Sequence, residues 1–373
     1  MKLTIKKNIL EDAINKVSKA ISTKNLVPAL SGIKFDLTKN GLTLTASDND
    51  ITIQTFIESK DNMTVEDEGS IIIQGRYIGD IVRKLPDEYI NIEVIDELKI
   101  MIYTENSEFN LNGINKSEYP SISLEESKTP VIIKNETFKD IVNQTAFATS
   151  SDESRPVLTG INFKINGNTL ECNSTDSYRL ARKMVILDAE YKDTYNIVIP
   201  SKNLLEFIKI INDEDETIEM HIFNNKILFK YQNILFQSRL INGTYPNTAN
   251  LLPEESLLKI TTSINELYSV IDRASILTSD KEKNIVTLET NGNKLFIKSS
   301  SAEIGRVEEK MVVEKDNDED IRISFVAKYM MEALKSFNED EVEISFVGEI
   351  KPILLKNVND DTLTQLVLPI RTY

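Results

Sequence analysis

The sequence predicts an α+β protein made of three tandem copies of one domain, each with two helices packed on antiparallel sheet. Three observations lead to this fold class: a repeat with a period of about 126 residues, two strand–helix units in every copy, and strands that alternate apolar and polar residues. We predict domains at residues 1–127, 128–253 and 254–373. The segments that join them, SLEESKTP and NTANLLPEES, are short, so neighbouring copies are expected to be tightly connected.

Every copy opens with a short apolar strand that leads into an amphipathic helix. These first helices are predicted over residues 9–21, 138–146 and 264–276, where apolar residues recur at helical spacing. A strand pair follows in each copy, with turn residues at Asn40-Gly41, Asn166-Gly167 and Asn291-Gly292. A second strand–helix unit then lies in SIIIQGRYIGDIVRKL, NIVIPSKNLLEFIKII and RISFVAKYMMEALKSF. The alternation within strands indicates a sheet with one buried and one exposed face.

Composition indicates a globular protein that acts in the cytoplasm. The 373 residues are 40% hydrophobic, and the amino terminus lacks the apolar run of a signal peptide. The single cysteine, Cys172, excludes an internal disulfide, and its strand position favours a small buried side chain over a reactive thiol. The net charge of −16 argues against general nucleic-acid binding, although the location of the basic residues matters more than their sum.

The second helices share a pattern of charge in which a base, an acid and a base lie on one helical face. Its members are Arg76, Asp80 and Arg83 in the first copy, Lys202, Glu206 and Lys209 in the second, and Lys328, Glu332 and Lys335 in the third. One interpretation is an exposed face with ion pairs between neighbouring turns. The other is three helices that present basic residues to a common polyanion.

The sequence contains no recognisable catalytic motif. The one histidine, His221, lies within an alternating strand and has no zinc-site or catalytic-triad context. The sequence also lacks a phosphate-binding glycine loop. The acidic runs at residues 212–216 and 316–320 are typical of solvated turns rather than calcium loops. We therefore expect no enzyme activity, no catalytic residues, no metal and no cofactor.

Four spaced segments carry a resemblance to a known family. They are MKLTI with LVPALSGI, TDSYRLA from Thr175, GTYPN from Gly243, and the terminal LPIRTY. Together with the repeat they resemble the bacterial DNA sliding clamps, the beta subunits of DNA polymerase III, over the whole chain. The resemblance implies a head-to-tail homodimer that forms a six-domain ring around duplex DNA. It also implies tethering of the replicative polymerase, which confers processivity without catalysis.

Helix packing provides a test of the implied ring. Packed helices lie about 8–10 Å apart, so six would enclose roughly 9 Å of free diameter after the helix radii are removed. Twelve helices, from two chains, would leave on the order of 28 Å, which is wide enough for duplex DNA. A ring of this design therefore needs two copies of the chain.

The resemblance also implies residue roles. The partner-peptide pocket would comprise Leu158, Thr175, Asp176, Ser177, Tyr178, Arg179, Leu180, Pro246, Asn250, Leu251, Leu366, Val367, Leu368, Pro369, Ile370 and Arg371. DNA would face Lys24, Arg76, Arg83, Arg155, Lys202, Lys209, Lys328 and Lys335. The dimer interface would include Phe109, Ile276 and Leu277. Asn250 departs from members with arginine at that position, so a charge-assisted contact is not expected there.

The implied partners are a second copy of the chain, double-stranded DNA bound without sequence preference, and proteins with short clamp-binding motifs. These proteins would be the DNA polymerase III alpha subunit, the clamp loader, other polymerases and repair proteins, and no membrane is implied. Two alternatives stay open from the residues alone. One is an enzyme whose acidic clusters recruit a metal through Asp213 or Asp215, and the other is a repeat scaffold without nucleic acid.

Overall fold

The computed structural model describes residues 1–22, 27–212, 216–253, 255–278, 284–301 and 304–371. It divides into two compact units. Unit 1 comprises Met1–Asn135 and Glu206–Leu240, and unit 2 comprises Glu136–Leu205 and Ile241–Tyr373. The second sequence repeat contributes to both units, because its strands join sheets with strands of the first repeat on one side and of the third on the other.

The described residues contain six α-helices, two from each repeat, as the sequence predicts. They are α1 Lys7–Val17, α2 Gly75–Lys84, α3 Asn135–Thr145, α4 Ser201–Ile208, α5 Ile264–Ser275 and α6 Ala327–Leu334. On α1 the buried residues Leu10, Ala13, Ile14 and Val17 recur every three or four positions, so the core-facing stripe is helical in period. The predicted carboxy-terminal end of this helix tightens into a 3₁₀ turn over Ser18–Ala20.

Antiparallel strands make up most of the remaining chain. They are β1 Lys2–Lys6, β2 Gly32–Thr38, β3 Gly41–Ser47, β4 Ile51–Glu58, β5 Met63–Asp67, β6 Gly69–Gln74, β7 Tyr89–Asp96, β8 Lys99–Tyr103, β9 Glu108–Asn112, β10 Val131–Lys134, β11 Gly160–Thr175, β12 Arg179–Pro200, β13 Thr217–Ile222, β14 Lys226–Tyr231, β15 Ile234–Arg239, β16 Leu258–Ser263, β17 Ile285–Asn291, β18 Lys294–Ser301, β19 Gly305–Val312, β20 Glu314–Lys315, β21 Arg322–Val326, β22 Glu341–Phe346, β23 Ile353–Asn357 and β24 Leu363–Val367.

Each unit has two sheets among its described strands. In unit 1 the strand orders are β5-β1-β7-β8-β9 and β10-β13-β14-β15-β4-β3-β2-β6. In unit 2 they are β11-β12-β24-β23-β22-β16-β20 and β19-β18-β17-β21. The strands β9 and β19 therefore each lie at the edge of a sheet, where backbone N–H and C=O groups can accept another strand.

The predicted hairpin turns differ among the copies. Gly41 follows the turn between β2 and β3, and Gly292 lies in the turn between β17 and β18. In the second copy, β11 continues through the predicted turn, and its register with β12 shifts on both sides of Gly167. Gly167 has φ of 62°, a left-handed conformation that glycine adopts without steric cost. The sequence thus correctly predicts a glycine in a special backbone conformation at this position. The residues around it, however, stay paired with β12.

Sheets continue across the boundaries between sequence repeats at two places, which we call the first joint and the second joint. At the first joint, in unit 1, β15 of the second copy pairs with β4 of the first copy. At the second joint, in unit 2, β24 of the third copy pairs with β12 of the second copy. Main-chain hydrogen bonds thus bind each copy to the next, which agrees with the tight connections predicted from the short joining segments.

The helices cover one face of these sheets. In unit 1, Phe207 of α4 stacks on Phe229 and lies 4.9 Å from the ring centroid of Phe236. In unit 2, residues of α5 and α6 share a buried core with Ile353 of β23 and Val367 of β24. Because side chains alternate along a strand, neighbouring residues such as Leu354 and Leu366 lie on the opposite face, away from the helices. We call this the outer face. Among the described residues, no helix is both long enough and apolar enough to cross a membrane.

Candidate functional site

A tight turn before β12 positions the second joint. The Asp176 carboxylate accepts hydrogen bonds from the backbone N–H groups of Tyr178 and Arg179 at 2.9 and 3.0 Å. The Thr175 hydroxyl donates to the Arg179 carbonyl and accepts from the Ser177 N–H. Ser177 itself has φ of 79°, which is unfavourable for a residue with a Cβ atom. Side-chain hydrogen bonds therefore stabilise a turn whose backbone conformation is unfavourable by itself.

Arg179 lies on the helix-facing side of the second joint and is only 9% exposed. Its guanidinium pairs with Asp176 at 2.9 Å and with Glu332 of α6. It also lies over the rings of Phe147 and Tyr329, with 5.3 and 4.6 Å to their centroids. All of these partners of the guanidinium lie in unit 2. Arg179 therefore links the turn before β12 to helix α6, a role that we call bracing.

The outer face of the second joint carries an aliphatic cluster. Leu180 on β12 pairs with Leu366 on β24, and Leu366 pairs with Leu354 on β23. These three leucines are at most 6% exposed. The partly buried Leu252 and Leu368 pack against them from the joining segment and from the carboxy-terminal segment. We call these five residues the leucine pocket.

A cavity of about 310 Å³ adjoins the leucine pocket. Its apolar wall includes Leu252, Pro253 and Leu354, and its polar rim includes Arg182 and Lys356. Arg182 also pairs with Glu171 at 3.2 Å. Burial raises the pKa of Glu171, but hydrogen bonding from Asn173 and the Arg182 charge outweigh it and lower that pKa overall. An apolar floor with a few polar groups at its edge suits a short peptide with aliphatic anchors.

The other residues assigned to the pocket by resemblance occupy several positions in unit 2. Leu158 belongs to a separate cluster with Val198 and Tyr245. Pro246, Asn250, Leu251 and Tyr178 are exposed, and Pro369, Ile370 and Arg371 line a larger groove on the outer face of the sheet containing β17. Val367 faces the helix core rather than the outer face.

Sequence reasoning missed Leu252 and Leu354, two of the five residues of the leucine pocket. Each lies in an apolar run, LLPE and PILLK, that is compatible with ordinary core. Only the pairing of β23 with β24 shows that Leu354 lies beside Leu366. Strand register is a tertiary property, so no local signal could have identified this residue.

The predicted basic face on the second helices is exposed and partly ion-paired. Arg83 pairs with Asp80, Lys209 with Glu206 at 2.6 Å, and Lys328 with Glu332 at 3.9 Å. The third-copy base Lys335 lies 4.7 Å from the ring centroid of Tyr268. Arg76, Lys202 and Arg155 are also exposed, and Arg155 donates to the Ser177 hydroxyl. Lys24 lies outside the described residues. The structure thus shows the predicted ion pairs on this face, and contact of its basic residues with a polyanion stays a prediction.

The residues predicted for a dimer contact are accessible. Phe109 on the edge strand β9 is 38% exposed, and Ile276 beyond α5 is 71% exposed. Leu277 is half-buried. Single exposed apolar side chains are common on protein surfaces, so it is the position of Phe109 on an edge strand that makes its exposure relevant to a contact.

The remaining reactive residues are engaged in the fold. His221 is buried, and its Nδ1 accepts a hydrogen bond of 2.9 Å from the Ser127 N–H. Its Nε2 lies 3.3 Å from a carboxylate oxygen of Glu219, so both ring nitrogens face polar groups of unit 1. Glu126 lies close to both, but it pairs with Lys230 at 2.7 Å.

The cysteine and the second acidic run also have structural roles. Cys172 is buried, as predicted, and burial raises the pKa of its thiol, which disfavours the reactive thiolate. In the second acidic run, Asp316 accepts from the Lys259 N–H and Asp320 pairs with Lys315, as in a solvated turn. Asp213 and Asp215 lie outside the described residues.

Comparison with known proteins identifies the family. The three domain models of the DNA polymerase III beta subunit match in order: the N-terminal domain at residues 1–123, the central domain at 132–247 and the C-terminal domain at 249–371. The chain is 40% identical to the beta sliding clamp of Bacillus subtilis and 38% identical to that of Staphylococcus aureus N315, with full coverage of both chains in each case.

Solved structures agree with this assignment. The DNA polymerase sliding clamp of Bacillus subtilis superposes with a TM-score of 0.96 at 39% identity, and the DNA polymerase III beta chain of Streptococcus pneumoniae with 0.95 at 35%, both over the full length of each chain. The fold is that of three tandem DNA-clamp domains. The chain belongs to the bacterial DNA polymerase III beta-subunit family, the beta sliding clamps. Its function is that of a DNA sliding clamp, a non-catalytic processivity factor whose partners include DNA and a polymerase.

Proposed function

We propose that two copies of this chain join head to tail through the edge strands β9 and β19. The support comes from the two joints, since β9 is the counterpart of β15 in its copy, and β19 is the counterpart of β4. Phe109 pairs with Ile102 as Phe236 pairs with Phe229, and Val307 pairs with Ser299 as Ile53 pairs with Ala46. At the first joint Phe236 lies opposite Ile53. Phe109 of one protomer would correspondingly lie opposite Val307 of the other.

Such pairing occurs twice and closes the assembly after two chains, as a head-to-tail contact must in order to avoid filaments. It would also cover the exposed side chains of Phe109 and Ile276. A matched pair of variants tests it. Ile276→Asp places a charge in the contact and should give a monomer near 42.4 kDa by sedimentation. Ile186→Asp is the control, since Ile186 is similarly exposed at 67% but lies on β12. A dimeric Ile276→Asp protein would refute the contact.

We further propose that the closed dimer encircles duplex DNA, with its twelve helices lining the opening. Six helices would leave too little room, whereas twelve leave roughly 28 Å. Basic residues of the second helices support weak phosphate contacts, and the nearby acids Asp80 and Glu206 limit their strength. Weak and sequence-independent contacts suit a protein that must slide. The site of action would be the cytoplasm, where bacterial DNA is replicated.

We propose that the leucine pocket receives short clamp-binding motifs of partner proteins. These partners would be the DNA polymerase III alpha subunit, the clamp loader, other polymerases and repair proteins. The observation that carries this proposal is the Leu180–Leu366–Leu354 row on the outer face, with Leu252 and Leu368 as walls. Pro246, Leu251 and Tyr178 would form its accessible margin.

Removal of residues 368–373 tests the pocket, since it deletes the Leu368 wall but neither sheet edge proposed for the dimer. A fluorescent peptide with a clamp-binding motif from the polymerase alpha subunit should lose binding, while sedimentation still reports a dimer. Unchanged peptide affinity would exclude this pocket.

A further inference from the structure

We propose that a groove on the outer face of unit 2 binds an acidic segment that flanks the clamp-binding motif of a partner protein. The inference rests on the proposed leucine pocket, from which the groove extends. We call it the arginine groove, and three arginines at its lining define it: Arg306, Arg322 and Arg371.

The groove lies on the sheet of β17, β18, β19 and β21. Its volume is about 1260 Å³. Thr287, Lys298 and Arg322 line it. The chain neighbours of Thr287, Val286 and Leu288, face the helix core instead. These three lining residues therefore belong to the outer face of the sheet, away from the helix core.

The charge of the groove is opposite to that of the chain. Arg306, Arg322 and Arg371 are exposed, and the described residues provide none of them with an ion pair. The fourth cation, Lys298, is already paired with Glu289 and Glu308. Glu308 and Glu349 are the acids in the lining, so four cations face two anions within a protein of net charge −16. Three guanidinium groups that have no ion pair among the described residues, on a protein of this net charge, favour an anionic partner.

The carboxy-terminal segment connects the arginine groove with the leucine pocket. Leu368 packs in the pocket, and its N–H donates to the Tyr178 carbonyl at 2.9 Å. Two residues later the Ile370 N–H donates to the Ser324 carbonyl at 2.7 Å, and Ile370 and Arg371 line the groove. Extended residues rise about 3.3 Å each, so the two sites begin within roughly 10 Å. A partner segment a few residues longer than its motif would reach both.

Carboxylates are the chemistry that fits these residues. An arginine guanidinium donates two parallel hydrogen bonds to one carboxylate. Three guanidinium groups on one face therefore suit a run of aspartate or glutamate. Because the arginines are exposed, each contact adds little and is screened by salt. The groove would add affinity to an already bound motif, since the second contact becomes intramolecular.

Matched peptides provide the test. The probes are a fluorescent clamp-binding peptide of the polymerase alpha subunit with four glutamates at either end, and the same peptides with four glutamines. At low salt we expect one glutamate peptide to bind wild-type dimer about three- to tenfold more tightly than its glutamine counterpart. The difference should vanish in the Arg306→Gln/Arg322→Gln variant and in 0.5 M salt. It should persist in Arg239→Gln, which alters an exposed arginine of unit 1.

The outcomes separate this inference from the proposed pocket. Equal binding of glutamate and glutamine peptides to wild type would overturn the groove and leave the pocket intact. A difference that survives in Arg306→Gln/Arg322→Gln would also overturn it. If the glutamine peptides do not bind at all, the pocket proposal fails and the groove inference fails with it. A short DNA duplex whose weak binding depends on these arginines, without any effect of the glutamate tails, would assign the groove to phosphate instead.

Discussion

The first and second joints have nearly the same backbone but different side chains on the outer face. Asn49 precedes β4 with φ of 77°, as Ser177 precedes β12 with φ of 79°. Asp48 accepts from the N–H groups of Asp50 and Ile51, just as Asp176 accepts from the two residues after Ser177. The same Asx-type turn thus begins the joining strand at both places.

The difference lies in the row of residues that crosses each joint. At the first joint Thr52 pairs with Gln237, and Gln237 with Leu228. At the second joint the corresponding row is Leu180, Leu366 and Leu354. The apolar row becomes a pocket only because Leu252 and Leu368 flank it. Repetition thus builds the scaffold, whereas a few side-chain differences at one joint create the pocket that we propose for partners.

The residues on the helix-facing side of the two joints predict the largest effect on stability. Ile51 begins β4, and Arg179 begins β12 at the equivalent place. We expect Arg179→Ile to destabilise the protein by about 3 kcal/mol, because it removes the buried cation that pairs with both Asp176 and Glu332. Calorimetric unfolding measures this. Adding Glu332→Gln should recover about 1 kcal/mol, and a loss below about 1 kcal/mol for Arg179→Ile alone would refute the bracing role.

The outer row predicts a loss of binding confined to the second joint. Leu366→Ala should weaken the motif peptide at least tenfold and cost about 2 kcal/mol of stability, since the removed side chain is 3% exposed. Gln237→Ala at the first joint is the matched change and should leave peptide affinity unaltered. Fluorescence anisotropy compares the two. Equal effects of both substitutions would contradict the assignment of the pocket to one joint.

Making the first joint more like the second should add stability without adding a site. The Gln237 side-chain oxygen is buried and has no hydrogen-bond partner in the described part of the chain. Gln237→Leu removes that unsatisfied group, so we expect a gain of about 1 kcal/mol in thermal unfolding. Peptide stoichiometry should stay at one per chain, because the first joint lacks the flanking walls. A second bound peptide would show that the row alone suffices.

The turns predict the smallest difference. Ser177→Gly should stabilise by roughly 0.5 kcal/mol, because relief of the left-handed strain exceeds the added flexibility of the unfolded chain. Asn49→Gly should be close to neutral, since asparagine tolerates this conformation better than serine does. Denaturant titrations of the two variants give the comparison. A larger gain at Asn49 would mean that backbone strain does not distinguish the joints.

The sequence predicted the fold class, the helices and the family, because these depend on periodicity and on spaced motifs that are local in the chain. It could not predict that β24 pairs with β12, and so it missed Leu252 and Leu354 as members of the pocket. The resemblance places Arg179 in the pocket, and the structure shows that its side chain pairs with Glu332 on the helix-facing side, which the sequence did not predict. Register and side-chain direction arise from tertiary pairing, which sequence patterns leave open.

We propose that two chains form a closed ring that is held on DNA by topology rather than by affinity. The direct measurement is retention of the protein, after assembly by a clamp loader, on nicked circular DNA and on the same DNA cut once. We expect the dimer to stay on circles and to be lost from linear molecules, and the Ile276→Asp variant to be retained on neither. Equal loss of the wild-type dimer from circular and linear DNA would contradict it.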